Sequence, residues 1–381
     1  MNAGFKVMCG AVAALFLVRG CGRNDASVPA IRVQEIRSTD DLSSTISVNG
    51  LIVMEESDNG LLVHPDKAFI LPDGSFIFKD KGSRILKFSS DGTFDCRIGL
   101  RGRGPQEYSL CRDIALSRDG AELSVMDLGR ILTYSAGDGR FIRKIEIPQH
   151  NYDEFCCGPD GGYYLSAAAP DREDYTSLQP HDVLTLISSD GSPVLQAVPR
   201  KDYIMNAALF SRTSKGTVFL RPLEGENLLY EVTDEGIMPV MSVDFGSLQS
   251  PSGYLVNNGK PDMAQYIMSK YYKMALYFHD TDNALYFGCM GPEAAGLHYL
   301  TDASGKNGCA WRDMPDDPSP TMVVASDSQS FYALVFDVKS KIALADKELN
   351  PLDRVIVQEV RRRNLPLNDN PLMAVFSYSQ Q

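Results

Sequence analysis

Basic residues are in short supply. Against 49 Asp and Glu the 381-residue chain carries 37 Lys and Arg, for a net charge of −12. Nucleic-acid binding draws most of its affinity from clustered cations that neutralise phosphates. The densest basic run here is Arg361-Arg362-Arg363, which reads as a solvated face, so no nucleic-acid partner is expected. Histidine is scarcer still. His64, His150, His181, His279 and His298 share no common spacing, and none of the eight cysteines forms a Cys-x-x-Cys pair. A regular zinc site, which needs such ligands at short recurring separations, finds no support. Also missing are the serine elbow, the Walker loop, the His-Glu-x-x-His motif and the EF-hand loop. Gly102-Arg103-Gly104 lacks the strand–helix setting of a dinucleotide site. No apolar run reaches the roughly 20 residues that span a bilayer. What is present, 44% hydrophobic and 23% charged residues, is the composition of a globular chain with ample length for a large core.

The first residues read as an address. Lys6 precedes twelve apolar residues, Val7 to Val18, which Arg19, Gly20 and Cys21 follow. A charged start and a short apolar middle mark a secretory signal, so residues 1–20 are expected to be removed. Val18-Arg19-Gly20-Cys21 resembles a bacterial lipobox, although Arg19 departs from the usual small or aliphatic residue. The resemblance implies lipidation of Cys21, and burial of each acyl CH₂ contributes about 0.8 kcal/mol to anchoring. Loss of the leader takes Lys6 and Arg19 with it and moves the net charge from −12 to −14. Residues 21–45 then read as anchor and tether, and residues 46–381 as one folded domain. Apart from Asp25 no acid follows Cys21 closely, which favours the periplasmic face of an outer membrane over the cell surface. Export permits disulfides. The pairing among Cys96, Cys111, Cys156, Cys157, Cys289 and Cys309 is left open, and the adjacent Cys156 and Cys157 read as two separate thiols.

A repeat sets the architecture. Phe69 to Asp80 reads as strand, Asp73-Gly74 turn, strand, and Ile85 to Ile98 repeats the arrangement around Asp91-Gly92. The unit returns around Asp119-Gly120 and Asp138-Gly139, 46 and 47 residues further on. Later copies use Asp160-Gly161 with Asp190-Gly191, Lys215-Gly216 with Glu235-Gly236, and Asp282-Asn283 with Gly305; a sixth runs from Met322 through Phe331–Val335 to late strands. Asp-Gly between alternating apolar runs is a strong hairpin signal, because those residues accept the positive φ of a tight turn. Units of this length with four strands each predict an all-β, six-bladed β-propeller of antiparallel blades, a single monomeric ring. Strands near Ile46–Met54 and Leu372–Phe376 are placed to complete the last blade from both termini, which removes the open edges. Apolar residues three and four apart predict two short helical insertions, Pro261–Tyr272 and Pro351–Arg363.

Ile98-Gly99-Leu100-Arg101-Gly102-Arg103-Gly104-Pro105-Gln106-Glu107-Tyr108 resembles the segment between blades of NHL-like propellers, and more closely that of six-bladed β-propeller lipoproteins of Bacteroidetes. Gln106 stands where that pattern has Gly. Asn370-Pro371-Leu372 to Phe376 resembles the closing strand of the same family. The resemblance implies a fold and a compartment and little chemistry. Within the segment, Gly99, Gly102 and Gly104 permit close backbone approach, Pro105 fixes φ, Glu107 completes the motif and Tyr108 plugs the gap between blades. Arg101 and Arg103 are candidates to bind an anionic group through paired guanidiniums.

Six-bladed propellers include lactonases that hold Ca²⁺ through hard oxygen ligands in the central channel. Asp80, Asp127 and Glu231, at strand ends, are the weak candidates for such a role here, and each also suits a turn. No other cofactor is implied. The leading reading is a non-catalytic, envelope-attached propeller that binds a glycan, a peptide or a partner protein. A Ca²⁺-dependent hydrolase or lyase is the alternative, and a subunit of a membrane complex a third.

Overall fold

The computed structural model describes residues 28–147, 152–166, 181–200, 210–220, 227–249, 256–257, 260–261, 269–292, 296–315, 317 and 319–379. These residues form six four-stranded blades, and in the first five the strands follow chain order from the axis outward. Blade I spans Pro65–Ile70, Phe76–Asp80, Arg84–Phe88 and Phe94–Arg97. Blade II spans Asp113–Leu116, Glu122–Asp127, Arg130–Ser135 and Phe141–Glu146. Blade III runs from Glu154–Cys157 to Pro193–Arg200, blade IV from Phe210–Arg212 to Gly236–Asp244, and blade V from Lys273–Asp280 to Gly308–Arg312. First strands of neighbouring blades touch, and they ring a central axis. The molecule is a six-bladed β-propeller.

Blade VI closes the ring as the sequence predicts. Its inner three strands, Met322–Ser326, Phe331–Val335 and Leu372–Tyr378, come from the C-terminal end of the chain. Its outer strand is β3, Ile46–Val53, antiparallel to the last from Leu372↔Val53 to Tyr378↔Ile46. Burial follows position within a blade. Middle strands such as Phe76-Ile77-Phe78 lie between two neighbouring blades and are buried on both faces, whereas the outer strand Phe141–Glu146 alternates half-buried and exposed residues. The core therefore lies between blades, as where Ile77 and Ile85 pack with Ile114, Leu123 and Val125.

The Asp-Gly turns serve two purposes. Gly92, Gly139 and Gly191 take positive φ (+90°, +70° and +89°), and each also packs against a backbone carbonyl of the preceding blade, that of Val53, Arg97 or Glu146. A serine at the start of these turns completes them: Ser89, Ser117 and Ser188 each donate to the Asp two residues on, at 2.6 Å. Those hydroxyls, with backbone N–H groups, hold Asp91 down at about 2 and lower Asp119 and Asp190.

The segment expected to be a tether, 21–45, is part of the ring from Ala30 onward, which corrects the boundary at residue 46. Its strand β1, Ala30–Arg32, lies parallel to the outer strand of blade IV, and β2, Arg37–Ser38, parallel to that of blade V. Ile31 and Val33 are buried against Val243, Phe245 and Phe287, and this burial draws the segment onto the rim. Two helices, α1 (Val338–Lys341) and α2 (Pro351–Arg363), lie between the second and third strands of blade VI. α2 has the predicted bounds. The Asn350 side chain caps its first turn, Leu352, Ile356, Val357 and Val360 are buried, and the three arginines occupy its last turn. Of the other predicted helix, Pro261–Tyr272, Pro261 ends a short strand, 262–268 lies outside the described residues, and 269–272 is not helical.

Candidate functional site

The first strands enclose an axial cavity of about 810 Å³. Its two sides differ in chemistry. On blades I to III it is charged: Lys67 contacts both oxygens of Asp113 at 2.8 and 2.9 Å, and Lys79 reaches Asp66 at 2.6 Å. Arg112 donates to the Tyr152 carbonyl at 2.9 Å and lies 3.9 Å from Asp153, next to Glu154. Burial opposes the charge of Lys67, but Asp113 and Glu154 more than offset it and leave its pKa above the ordinary value. On blades IV to VI the aromatic and apolar side chains of Phe210, Tyr277, Met322, Val323 and Val324 and the ring of His279 stand beside the charged Arg212, Lys215 and Asp327. Where the first strands end, Arg212 of blade IV donates to the carbonyls of Leu116, Ser117 and Arg118 of blade II at 3.1, 2.8 and 2.9 Å. Arg118 itself is paired with Asp234 at 2.7 Å.

His279 of this wall is 5% exposed, and its Nδ1, like the Ser326 Oγ on blade VI, has no hydrogen-bond partner. Burial lowers its pKa to about 4, against a smaller opposing effect of its hydrogen bond to the Val323 backbone. The ring is therefore neutral near pH 7, and the nitrogen not engaged by Val323 is an acceptor. Tyr277, also at the cavity, leads into blade V. Tyr286 and Tyr277 lie 2.8 and 3.3 Å from His298 Nδ1, while His298 Nε2 is 2.9 Å from Asp313. A carboxylate at Nε2 places the ring proton there and leaves Nδ1 to accept from a tyrosine hydroxyl. Scattered spacing hid this network in the sequence. Strand pairing assembles it, with His298 opposite Gly288 and Trp311.

The carboxylates singled out as metal candidates sit elsewhere, each held by protein donors. Asp80, fully buried, accepts from the His64 N–H at 2.9 Å and pairs with Arg84, whose guanidinium also donates to the Leu61 carbonyl at 2.7 Å. Asp127 repeats the device: it accepts from the Ser109 and Leu110 N–H groups, both at 3.0 Å, and pairs at 2.8 Å with Arg130, which donates to the Glu107 carbonyl at 2.9 Å. In both blades an Asp ending the second strand and an Arg opening the third clip the incoming connection. Asn370 does the same for the last connection, accepting from Leu62 N–H at 2.8 Å and donating to the Glu55 and Gly60 carbonyls. Glu231 lies within blade IV and accepts from Thr217. Among the described residues no three His, Cys, Asp or Glu side chains gather as a metal-binding group.

The connection after blade I is built around Tyr108, 2% exposed in the core between blades I and II. Gly99, at φ +62°, leaves room for the rings of Tyr108 and Tyr134. Gly102 and Gly104 make room for the Glu107 carboxylate, which accepts from the Gly104 N–H at 2.8 Å, so the close approach is to a side chain and not to a second backbone. Pro105, Arg101 and Arg103 are exposed on this connection, away from the cavity, with Arg101 Nε 3.3 Å from the Ser109 carbonyl. All six cysteines of the described residues are free thiols. Cys156 packs with Tyr164, Leu184 and Phe210, while Cys157 joins the cluster on the blade II side. Cys21 lies outside the described residues.

Six blades around an axial cavity lined by charged, aromatic and apolar side chains define the class: a closed β-propeller with a concavity on its axis. The chain belongs to the family of the domain of unknown function DUF4934, whose model matches residues 29–376. Among solved structures it is similar to a Bacteroides fragilis NCTC 9343 protein described as a "putative exported protein". The identity is 15% and the TM-score 0.71, over 93% of this chain and 100% of that one. Lower similarity is found to the WD40 repeats of RRP9, at 12% identity and TM-score 0.44 over 90% of this chain and 99% of that one. Hydrazine synthase of Kuenenia stuttgartiensis follows, at 12% identity and TM-score 0.37 over 86% and 89% of the two chains. No curated protein matches.

Proposed function

We propose that this protein is an exported, envelope-attached binding propeller, held at the periplasmic face of an outer membrane through Cys21, which takes a ligand into its axial cavity. The observation that carries the reading is the cavity itself, about 810 Å³ and bordered by every blade of a rigid ring. Sites of this kind join apolar surface to a few fixed polar groups, and the two facing walls supply both. The leader and the lipobox-like Val18-Arg19-Gly20-Cys21 support export and anchoring. A non-catalytic role is supported by the way Asp80 and Asp127 are used up in clipping connections, as their burial and partners indicate.

The test compares the mature chain with Val324→Trp, which places an indole at the cavity wall. Each is incubated with envelope extract, repurified and examined by native mass spectrometry. A bound mass on the unsubstituted chain that the variant lacks, with both proteins melting cooperatively, is the expected result. Identical spectra would refute binding in the cavity.

A further inference from the structure

We infer that the axial cavity holds a carboxylate of its ligand at Arg212 and Lys215, on the first hairpin of blade IV. The inference deepens the proposed function and rests on the cavity being a ligand site. It starts from how the cations bordering the cavity are paired. Lys67, Lys79, Arg112 and Arg118 each have a carboxylate within 4.0 Å, on Asp113, Asp66, Asp153 and Asp234 in turn. Arg212 and Lys215 border the cavity as well, and among the described residues neither forms such a pair. Arg212 ends the first strand of the blade and Lys215 lies in the turn that follows. Asp327, the lining carboxylate of blade VI, accepts from the Gln329 and Ser330 N–H groups and from the Tyr332 hydroxyl, and answers neither cation.

The guanidinium of Arg212 is half-buried and fixed in place. Its Nη1 donates to the Leu116 and Ser117 carbonyls and its Nη2 to that of Arg118. Gly216, at φ +80°, makes room for this seat, because a Cβ there would stand 3.1 Å from Arg212 Nη2 and 2.5 Å from the Arg118 carbonyl oxygen. Carbonyls orient the group without neutralising it, and they leave the Nε hydrogen and one Nη2 hydrogen without a protein partner. Burial lowers the pKa of Arg212 against smaller effects of Cys157 and Asp119, and Asp119 is itself engaged by Ser117 and Ala121. A charge taken partly out of water without a counter-ion is costly, and a ligand that brings the counter-ion relieves the cost. The two oxygens of a carboxylate match the two donors that remain, and the exposed Lys215 adds a second cation. The apolar side chains of Ile70, Met322 and Val324 in the same lining suit an apolar body behind that group.

Three probes test this by calorimetry on the mature chain: 4-phenylbutanoate, its neutral amide, and 2-phenylethyl phosphate. The carboxylate is expected to bind about tenfold or more tightly than the amide, as a charge-assisted pair of hydrogen bonds provides, and more tightly than the phosphate. Arg212→Gln is expected to remove the preference over the amide, and Val324→Trp to abolish binding. Arg212 also ties blade IV to blade II, so the melting of that variant is followed alongside. Lys215→Gln leaves this tie intact and is expected to shrink the ratio with an unchanged melting temperature. Equal binding of acid and amide, lost in Val324→Trp, would overturn the carboxylate site and leave the cavity as a ligand site. A preference that survives both Arg212→Gln and Lys215→Gln would overturn the assignment to these residues, and tighter binding of the phosphate would overturn the choice of carboxylate. No binding of any probe would overturn the inference as well. The mass-spectrometric comparison then decides separately whether the cavity binds anything.

Discussion

His279 is kept uncharged inside the ring, and that has a measurable consequence. Its pKa is lowered to about 4 from the ordinary 6.5, chiefly by burial. Between those values the unfolded chain holds a proton on this ring that the folded chain does not. Stability is therefore full above the higher value and falls as the pH drops through the window, by up to about 3 kcal/mol. Urea midpoints measured from pH 7 to pH 4 should decline more steeply for the unsubstituted chain than for His279→Gln. Parallel curves would show that the ring is not held neutral by the fold. Little of this was legible in the sequence, where His279-Asp280 is one of two His-Asp neighbours. Adjacent strand residues point to opposite faces, and Asp280 indeed turns away to accept from Ser214 of blade IV. Tyr108 was more legible, because an aromatic behind a glycine-rich connection has few places to go except between blades.

Among the elements, the connections between blades depend on a carboxylate–guanidinium clip that the sequence displayed but did not explain. Asp80 and Asp127 stood out as strand-end acids, and a metal or a turn explained them equally well. The deciding partners are the arginines that open the next strand, Arg84 and Arg130, together with backbone groups about sixteen to eighteen residues upstream. Only the hairpin pairing brings these together. Asp127→Ala removes the acceptor of two backbone N–H groups and leaves Arg130 without its counter-charge in a site where the carboxylate was 2% exposed. Breaking such a pair from one side costs about 3–5 kcal/mol. Arg130 keeps some access to water, so a loss near the lower figure is expected from denaturant unfolding, with no dependence on added Ca²⁺. A loss that Ca²⁺ reproduces in the unsubstituted chain on chelation would instead make Asp127 a metal ligand. The Asp-Gly turns show the opposite balance. They were legible because their signal is local, yet their second role, seating each blade on the previous one, appears only when the ring is closed.

For the molecule as a whole, periodic turns and the strand signals at both ends were enough to predict six blades and a last blade shared by the termini. What the pattern could not show is the strap ahead of β3. β1 and β2 are three and two residues long, and they pair in parallel, which needs no turn and leaves no alternating signature. Their effect is on the edges. An outer strand exposes unpaired N–H and C=O groups that invite pairing with other chains, and the strap covers them on blades IV and V before β3 completes blade VI. Ile31 is its anchor, fully buried and packed against Gly305 in the turn of blade V as well as in the cluster of Val243 and Phe287. Ile31→Ala leaves a cavity at the junction of two blades, for which about 2–5 kcal/mol is the usual loss. Because β3 still closes the ring, unfolding of this variant should remain a single cooperative transition at a lower midpoint. Deleting residues 28–53 removes β3 as well, and the structure then predicts a broad, non-cooperative melt with aggregation. If Ile31→Ala alone abolished cooperativity, the strap and not the shared blade would be what holds the ring closed.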